Sequence, residues 1–317
     1  MSSFESAENR NVRSANTQAN DRAGVIVTQP DNDLLLHKRS QNVALPKEFE
    51  ETSADFRITQ SENTGNPQPS EQVKRMEADV AKYGKSPDDM LTQLMRDNQV
   101  VGIGDGHGSN EPLERDADKY MRDLKAGGAT HLVIETDQTT KAMLDRFNAT
   151  GELDVSKLPI LSRNDAYVNM LKSAHAMGLT LVAGDAEQGK TANQSARNPT
   201  MASTIENILN QPGQDRNHPN KVVFWVGARH LDDFHLSKTS NNSSAAVLLR
   251  ADGVKIATVG YESGGQVDGG DMSQVANSVT RPTIVSTTDA KDFGGYKTAG
   301  IYPNNSLDYI ILYPPDH

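Results

Sequence analysis

Two short turns in the sequence place a histidine three residues after a glycine, Gly104 to His107 and Gly227 to His230. Each turn follows a run of apolar residues that is typical of a buried strand. A glycine at this point permits a tight turn that can direct the imidazole ring into a crevice. Because an imidazole can exchange a proton with water near neutral pH, the two turns indicate acid–base chemistry.

Charged side chains follow the apolar runs in the same way. Asp105 and Glu135 end the first two runs, Asp185 follows the third, and Arg229 follows the fourth. Either Asp105 or Glu135 could fix the tautomer of His107 and make it a general base. Arg229 and the second histidine could polarise the electrophile or hold a developing anion. This set of side chains is suited to the activation of water.

The same residue types would also suit a metal ion. Two histidines with carboxylates form a reasonable site for Mn, Zn or Fe, and His107, Glu135 and His230 are the candidate ligands. The chain has no cysteine, which excludes thiolate ligands, disulfides and thiol catalysis. The sequence alone leaves metal-dependent and metal-free chemistry open.

The elements that must position these side chains are short strands alternating with helices. The strands are predicted at four apolar runs, Val100 to Gly104, Leu132 to Glu135, Leu179 to Gly184 and Val222 to Gly227. Such alternation predicts an α/β fold with a mainly parallel sheet flanked by helices. The carboxyl ends of parallel strands share one edge, where ligands bind in folds of this type.

Further elements are predicted on either side of these four strands. Helical spacing begins at Glu71, and Met201 to Leu209 has the pattern of a later helix. Asp252-Gly253 separates two apolar runs and is typical of a β-hairpin. Tyr309 to Leu312 is predicted to be a last buried strand.

Composition changes near residue 70. Residues 1–70 are rich in Ser, Asn, Gln, Glu and Thr and carry few apolar side chains, so we expect a disordered polar leader followed by one α/β domain over residues 71–317. Neither a Sec signal peptide nor a membrane-spanning run is predicted. The net charge of -10 disfavours nucleic acid and anionic membranes as partners.

One segment fits a nucleotide-binding motif. Gly184 to Thr191 reads GDAEQGKT, which matches the phosphate-loop pattern after an apolar strand. Asp185 and Glu187 would place negative charge beside the phosphates, and Pro199 interrupts the helix that should follow. These features count against phosphate binding, but the match to the pattern keeps a nucleotide-binding protein as an alternative function.

Four segments in this order carry a family resemblance: VVGIGDGHGSNEPLE, HLVIETD, RNPTMA and VVFWVGARHL. Between about Asn98 and Tyr313 the chain resembles the Tiki superfamily. This superfamily includes ChaN-like haem-binding proteins, erythromycin-esterase-like hydrolases, Tiki metalloproteases and domains of bacterial toxins and effectors. The resemblance implies the ChaN and erythromycin-esterase type of α/β fold more firmly than any one activity.

The resemblance also implies roles for particular residues. His107, Glu135 and His230 would form the catalytic or metal-binding core. Arg197 matches the arginine that precedes the Met-Ala helix of the family, and Glu111 or Glu114 would add a further carboxylate; with Arg229 and Asp185 these residues are candidates for binding substrate. Asp105 departs from the pattern, because many members have a glutamate there.

The polar leader looks like the secretion signal of a type III effector. This likeness predicts delivery into the host cell cytosol without a Sec signal, with the bacterial cytoplasm as the alternative. The substrate would be a host protein or a small ester or peptide. The competing interpretation is a protein without turnover that binds a divalent metal, haem or a host receptor on the same scaffold.

Overall fold

A computed structural model describes residues 69–106, 112–186, 196–212, 214–215, 217–232, 243–264, 271–293 and 307–315. His107, Glu111 and the leader before residue 69 lie outside the described residues. Within them the chain forms seven strands: β1 (Val100–Asp105), β2 (His131–Ile134), β3 (Thr180–Ala183), β4 (Val222–Gly227), β5 (Ile256–Ser263), β6 (Thr283–Ser286) and β7 (Tyr309–Tyr313).

Eight α-helices accompany the strands in the same described ranges. They are α1 (Glu71–Tyr83), α2 (Pro87–Asp97), α3 (Pro112–Ala126), α4 (Lys141–Thr150), α5 (Asp165–Ala176), α6 (Arg197–Leu209), α7 (Ala245–Ala251) and α8 (Asp271–Asn277). In the described part of the chain, none of the helices combines the length and apolar character needed to cross a membrane.

The strands form one sheet in the order β3-β2-β4-β1-β5-β7-β6. Every neighbouring pair is parallel except β6 with β7, which is antiparallel. The predicted α/β class with a mainly parallel sheet is therefore confirmed. Because β4 lies between β2 and β1, the carboxyl ends of these three strands are adjacent.

Alternate residues of each strand enter separate cores on the two faces of the sheet. Val101 and Ile103 pack in a core with the buried side chains of α2, α3, α4 and α5. On the other face, Val100 and Phe224 pack with α6 and α7, while α1 and α8 cover β6 and β7 in a third cluster. Helices thus cover both faces, as parallel strands require.

Local signals in the sequence account for where helices begin and end. Ser70 caps α1, its Oγ accepting from the N–H of Val73 at 3.1 Å, and Gly84 ends it. Pro87 occupies the first turn of α2, where its missing N–H costs nothing. Gly151 ends α4 with a φ of 74°, a left-handed conformation that favours glycine.

Two expectations differ from the structure, and one strand was not expected. The hairpin at Asp252-Gly253 is wrong: α7 precedes this turn, and β5 after it pairs in parallel with β1. Gly253, with φ of 82°, ends the helix, since its N–H donates to the Arg250 carbonyl at 3.1 Å. The helix predicted from Met201 begins earlier, at Arg197. Strand β6 was not predicted, because it has four residues and only two of them are buried.

Candidate active site

Glu135 follows β2 directly and lies against the end of β4. Ile134, the last residue of β2, pairs in parallel with Trp225, two residues before the end of β4. The Oε2 atom of Glu135 accepts a hydrogen bond from the backbone N–H of Gly227 at 2.7 Å. The side chain retains 13% of its exposure. The carboxylate is therefore fixed in orientation but still accessible at the edge of the sheet.

His230 lies in the short 3-10 helix Ala228–His230 that follows β4. Its Nε2 atom is 3.3 Å from Oε1 of Glu135, and its Nδ1 atom is 2.5 Å from Oδ1 of Asn198. The imidazole is 12% exposed. Two side chains that belong to separate strand ends are thus direct neighbours.

The 3-10 helix packs closely on β1 because two β1 positions have no side chain. A Cβ atom on Gly104 would lie 2.9 Å from the Cα and Cβ atoms of Ala228. A Cβ atom on Gly102 would lie 2.7 Å from Cδ2 of Leu231. These separations are shorter than ordinary carbon contacts, so the glycines of β1 allow the approach of the segment that carries His230.

Arg197 begins α6 and joins the carboxylates that follow β2 and β3. Its Nε donates to Oδ2 of Asp185 at 2.8 Å, and its Nη2 donates to Oε1 of Glu135. Burial alone would lower the pKa of the guanidinium, but the hydrogen bond with Asp185 and the charges of both carboxylates raise the pKa of Arg197. Arg197 is therefore a permanent cation between two acids.

Asp105 ends β1 on the other face of the sheet and is only 2% exposed. Its Oδ2 atom accepts from the indole N–H of Trp225 at 2.6 Å. Tyr167 in α5 lies nearby, and burial together with the charges of Asp105 and Glu135 raises the pKa of its phenol well above the usual value. The phenol consequently stays protonated and can act only as a neutral hydrogen-bonding group.

The backbone N–H groups at the start of the loop after β3 donate hydrogen bonds to acceptors within the protein. Those of Gly184 and Asp185 donate to backbone carbonyls at and just after the end of β2, each at 3.0 Å. The N–H of Ala186 donates to Oδ1 of Asp185 at 2.7 Å. A phosphate loop needs such N–H groups directed at the ligand. The first three N–H groups of the phosphate-loop pattern therefore have acceptors within the protein. Residues 187–191, the rest of the pattern, lie outside the described residues, so nucleotide binding stays a prediction.

The remaining candidate residues occupy different environments. Gly106, the last described residue before His107, is exposed at the carboxyl edge. Glu114 is buried in the first turn of α3, at 3% exposure. Arg229 is exposed on the 3-10 helix beside His230. The structure thus brings together Glu135, His230, Arg197 and Asp185.

The candidate residues from the sequence omit two that contact members of the candidate set: Asn198, which contacts His230, and Trp225, which contacts Asp105. Asn198 holds His230, and its only local signal is its place beside Arg197 at the start of a helix. Trp225, the single tryptophan of the chain, precedes the second Gly-x-x-His turn by two residues. Both contacts join segments far apart in the sequence, so spacing alone could not reveal them.

Among the described side chains, the carboxylate of Glu135 is held by partners other than a metal ion, and the candidate ligand His107 lies outside the described residues. Both oxygens of Glu135 are engaged, one by the N–H of Gly227 and the other by Arg197. The guanidinium would repel a second cation at this carboxylate. No group of three potential metal ligands occurs within the described residues.

Comparison with known proteins gives one curated relative and several solved structures. No family model matches the chain. Over 138 residues the chain is 29% identical to the multifunctional-autoprocessing repeats-in-toxin protein of Vibrio vulnificus. The match includes 43% of this chain but spans only 2% of that much longer toxin.

Two of the similar structures come from bacterial proteins. A Bacillus cereus protein matches 77% of this chain and 97% of its own with a TM-score of 0.56 and 12% identity, which shows a shared fold. RRSP, a MARTX toxin effector domain from Vibrio vulnificus CMCP6, matches 58% of this chain and 37% of its own with 22% identity and a TM-score of 0.38.

Proposed function

We propose that this chain is a hydrolase that activates water at the carboxyl edge of its sheet, with His107, Glu135 and His230 as the reacting groups. The observation that carries the proposal is the set of contacts made by the carboxylate of Glu135. Its carboxylate is held by Arg197 and by the N–H of Gly227, and His230 lies 3.3 Å away. A fixed acid beside an accessible imidazole is the arrangement that proton transfer requires.

The proposed roles follow from these positions. His107, two residues after Asp105 in the sequence, takes a proton from water, which then attacks a carbonyl carbon of the substrate. In the proposed mechanism His230 and Arg229 stabilise the oxyanion, and His230 supplies a proton to the leaving group. Arg197 and Asp185 orient Glu135 and need not touch the substrate. This mechanism uses no metal, in keeping with the guanidinium at Glu135.

The resemblance to erythromycin-esterase-like hydrolases and Tiki proteins supports the same reaction class, with an ester or a peptide bond as the target. The match to a Vibrio vulnificus toxin supports a role as a virulence effector. In this proposal residues 1–70 are the secretion leader, residues 71–317 are the catalytic domain, and the enzyme acts in the host cell cytosol on a host protein or small ester.

The test measures both bond types. Purified full-length protein is incubated with a panel of p-nitrophenyl esters and, separately, with a eukaryotic cell lysate whose new protein N-termini are labelled and identified. We expect turnover of an ester or a discrete new N-terminus with the wild type. Glu135→Gln and His230→Ala should abolish it without loss of the folded state.

His218→Ala is the matched control, because the His218 side chain is 85% exposed and pairs only with Asp215 in the described residues. This variant should retain full activity. A wild type that cleaves nothing in either assay, or a His230→Ala variant with full activity, would overturn the proposed function.

A further inference from the structure

We propose that Asn198 is a positioning residue that keeps a proton on Nδ1 of His230, so that Nε2 is the nitrogen that exchanges protons in the reaction. The part that concerns catalysis rests on the proposed function. The part that concerns the tautomer depends only on the contacts of the ring. Asn198 lies next to Arg197 in the first turn of α6, so one helix start contacts both Glu135 and His230.

The orientation of the Asn198 amide is set by a backbone carbonyl. Its Nδ2 donates to the carbonyl oxygen of Ser243 at 3.0 Å. Reversing the amide would place Oδ1 against that oxygen, two acceptors in contact, and would lose the hydrogen bond. The oxygen of the amide therefore faces His230.

This orientation determines the proton on Nδ1. An amide oxygen only accepts, so the ring nitrogen 2.5 Å from it must carry hydrogen. The opposite nitrogen, Nε2, lies 3.3 Å from Oε1 of Glu135, and the side chain is 12% exposed. Because the shorter contact holds a proton on Nδ1, Nε2 is the nitrogen that gains and loses the second proton of the ring.

In the proposed hydrolysis this arrangement fixes the direction of each proton. His107 takes a proton from water as the oxygen of that water bonds to the carbonyl carbon. The bond to the leaving group then breaks, and the leaving atom takes the proton from Nε2 of His230. His230 enters this step as the imidazolium, with a proton on each nitrogen, so after the transfer the ring is neutral with its proton on Nδ1. His107 then loses its extra proton to solvent and His230 regains one at Nε2, which returns both rings to their starting states.

The decisive measurement is nitrogen-15 NMR of the histidine side chains, with the His230 signals identified by their loss in His230→Gln. As the pH rises, the Nε2 signal should move to the position of an unprotonated ring nitrogen, while Nδ1 keeps the shift of an N–H. Asn198→Ala should abolish this preference, and Asn198→Asp, which still offers an oxygen to Nδ1, should restore it.

Two controls separate positioning from a general loss of structure. The indole N–H signal of Trp225 reports whether the site remains folded in each variant, because the chain has one tryptophan. Asn148→Ala is the matched variant: its amide also bonds to backbone, to the N–H and carbonyl of Leu181 at 2.9 and 2.8 Å, far from His230 in the sequence. It should leave the His230 tautomer unchanged.

A wild-type His230 that deprotonates at Nδ1, or an Asn198→Ala protein with an unchanged tautomer, would overturn the proposal. Once a substrate is found, kcat should fall about 10²-fold in Asn198→Ala with KM unchanged, as expected for a misplaced reacting group, and recover in Asn198→Asp. If the NMR result is as expected and no hydrolysis is found, the proposed function fails while the role of Asn198 in fixing the ring stands.

Discussion

The indole N–H of Trp225 donates to the carboxylate of Asp105 at 2.6 Å, and both residues are buried. This hydrogen bond joins the ends of β1 and β4, the two strands that lead into the Gly-x-x-His turns. A hydrogen bond to a charged group contributes more than one between neutral groups. The pair therefore stabilises the carboxyl edge of the sheet where the candidate site lies.

Trp225→Phe should lower the free energy of unfolding by about 1–3 kcal/mol, because buried Asp105 loses a donor. Urea denaturation followed by circular dichroism measures the change. The smaller ring also leaves a cavity, so the hydrogen bond is isolated by a double-mutant cycle with Asp105→Ala, for which we expect a coupling of about 0.5–3 kcal/mol. Simple additivity of the two changes would contradict this account.

Arg197→Met should destabilise the protein by about 3–5 kcal/mol, since it leaves Asp185 and Glu135 close together without their cation. The pKa of Arg197 is raised in the folded state, so its contribution is complete below its ordinary pKa and is lost only as the pH rises through the higher folded value. Urea unfolding of the wild type and variant should therefore give the same difference at about pH 7 and about pH 9.

The matched control is Arg146→Met, which breaks the exposed pair of Arg146 with Glu152. Both side chains are more than two-thirds exposed, at 69% and 68%, and such surface pairs contribute less than about 1 kcal/mol. Equal losses in Arg197→Met and Arg146→Met would show that the site cation has no special role in stability.

Gly104→Ala should lower stability and should also displace His230. The added methyl group meets the backbone of Ala228 at 2.9 Å, so the 3-10 helix must move away from β1. We expect a loss of about 1–3 kcal/mol on unfolding, as for other overpacked sites, and a clear change in the His230 NMR signals.

Gly260→Ala is the comparison for this prediction. Gly260 lies on β5, the strand next to β1, and its added methyl group would meet Cδ1 of Leu307 at 2.5 Å. This clash involves the end of a side chain outside the site, so the variant should lose stability while the His230 signals stay in place. If both variants shift the NMR signals of His230 equally, Gly104 does not position the turn that carries His230.

How far the sequence predicts this molecule depends on whether a signal is local. Strand β4 was predicted with its observed ends because its apolar run is unbroken, and the start of helix α1 was predicted near Glu71 from the spacing of its apolar residues. Glu135 and His230 were expected at one edge because parallel strands end together. Their contact requires β4 to lie beside β2, a neighbour relation that no local pattern encodes.

The errors have the same origin. Asp252-Gly253 suits a hairpin and equally suits the end of a helix, and only the packing of α7 against α6 and β5 decides between them. Asn198 lies at the start of α6, before β4, whereas His230 follows β4, so the two residues meet only in the folded chain. Such long-range contacts determine the hydrogen-bonding state of a ring, whereas spacing in the sequence determines only which residue types are available.

Glu262, near the end of β5, should make stability depend on pH. Burial raises the pKa of its carboxyl group from 4.5 to about 6. The folded state then binds more protons than the unfolded state between these values, so the free energy of unfolding falls as the pH rises through this window and is constant above it. A difference of this size corresponds to about 2 kcal/mol.

Glu262→Gln removes the buried ionisable group, so it should be more stable than the wild type by about 2 kcal/mol at about pH 8 and equal to it at about pH 4. Urea unfolding at the two pH values measures the difference. Glu152→Gln, at a side chain that is 68% exposed, should change stability little at either pH. A gain in Glu262→Gln that is the same at both pH values would mean that packing of the amide, and not relief of a buried charge, stabilises the variant.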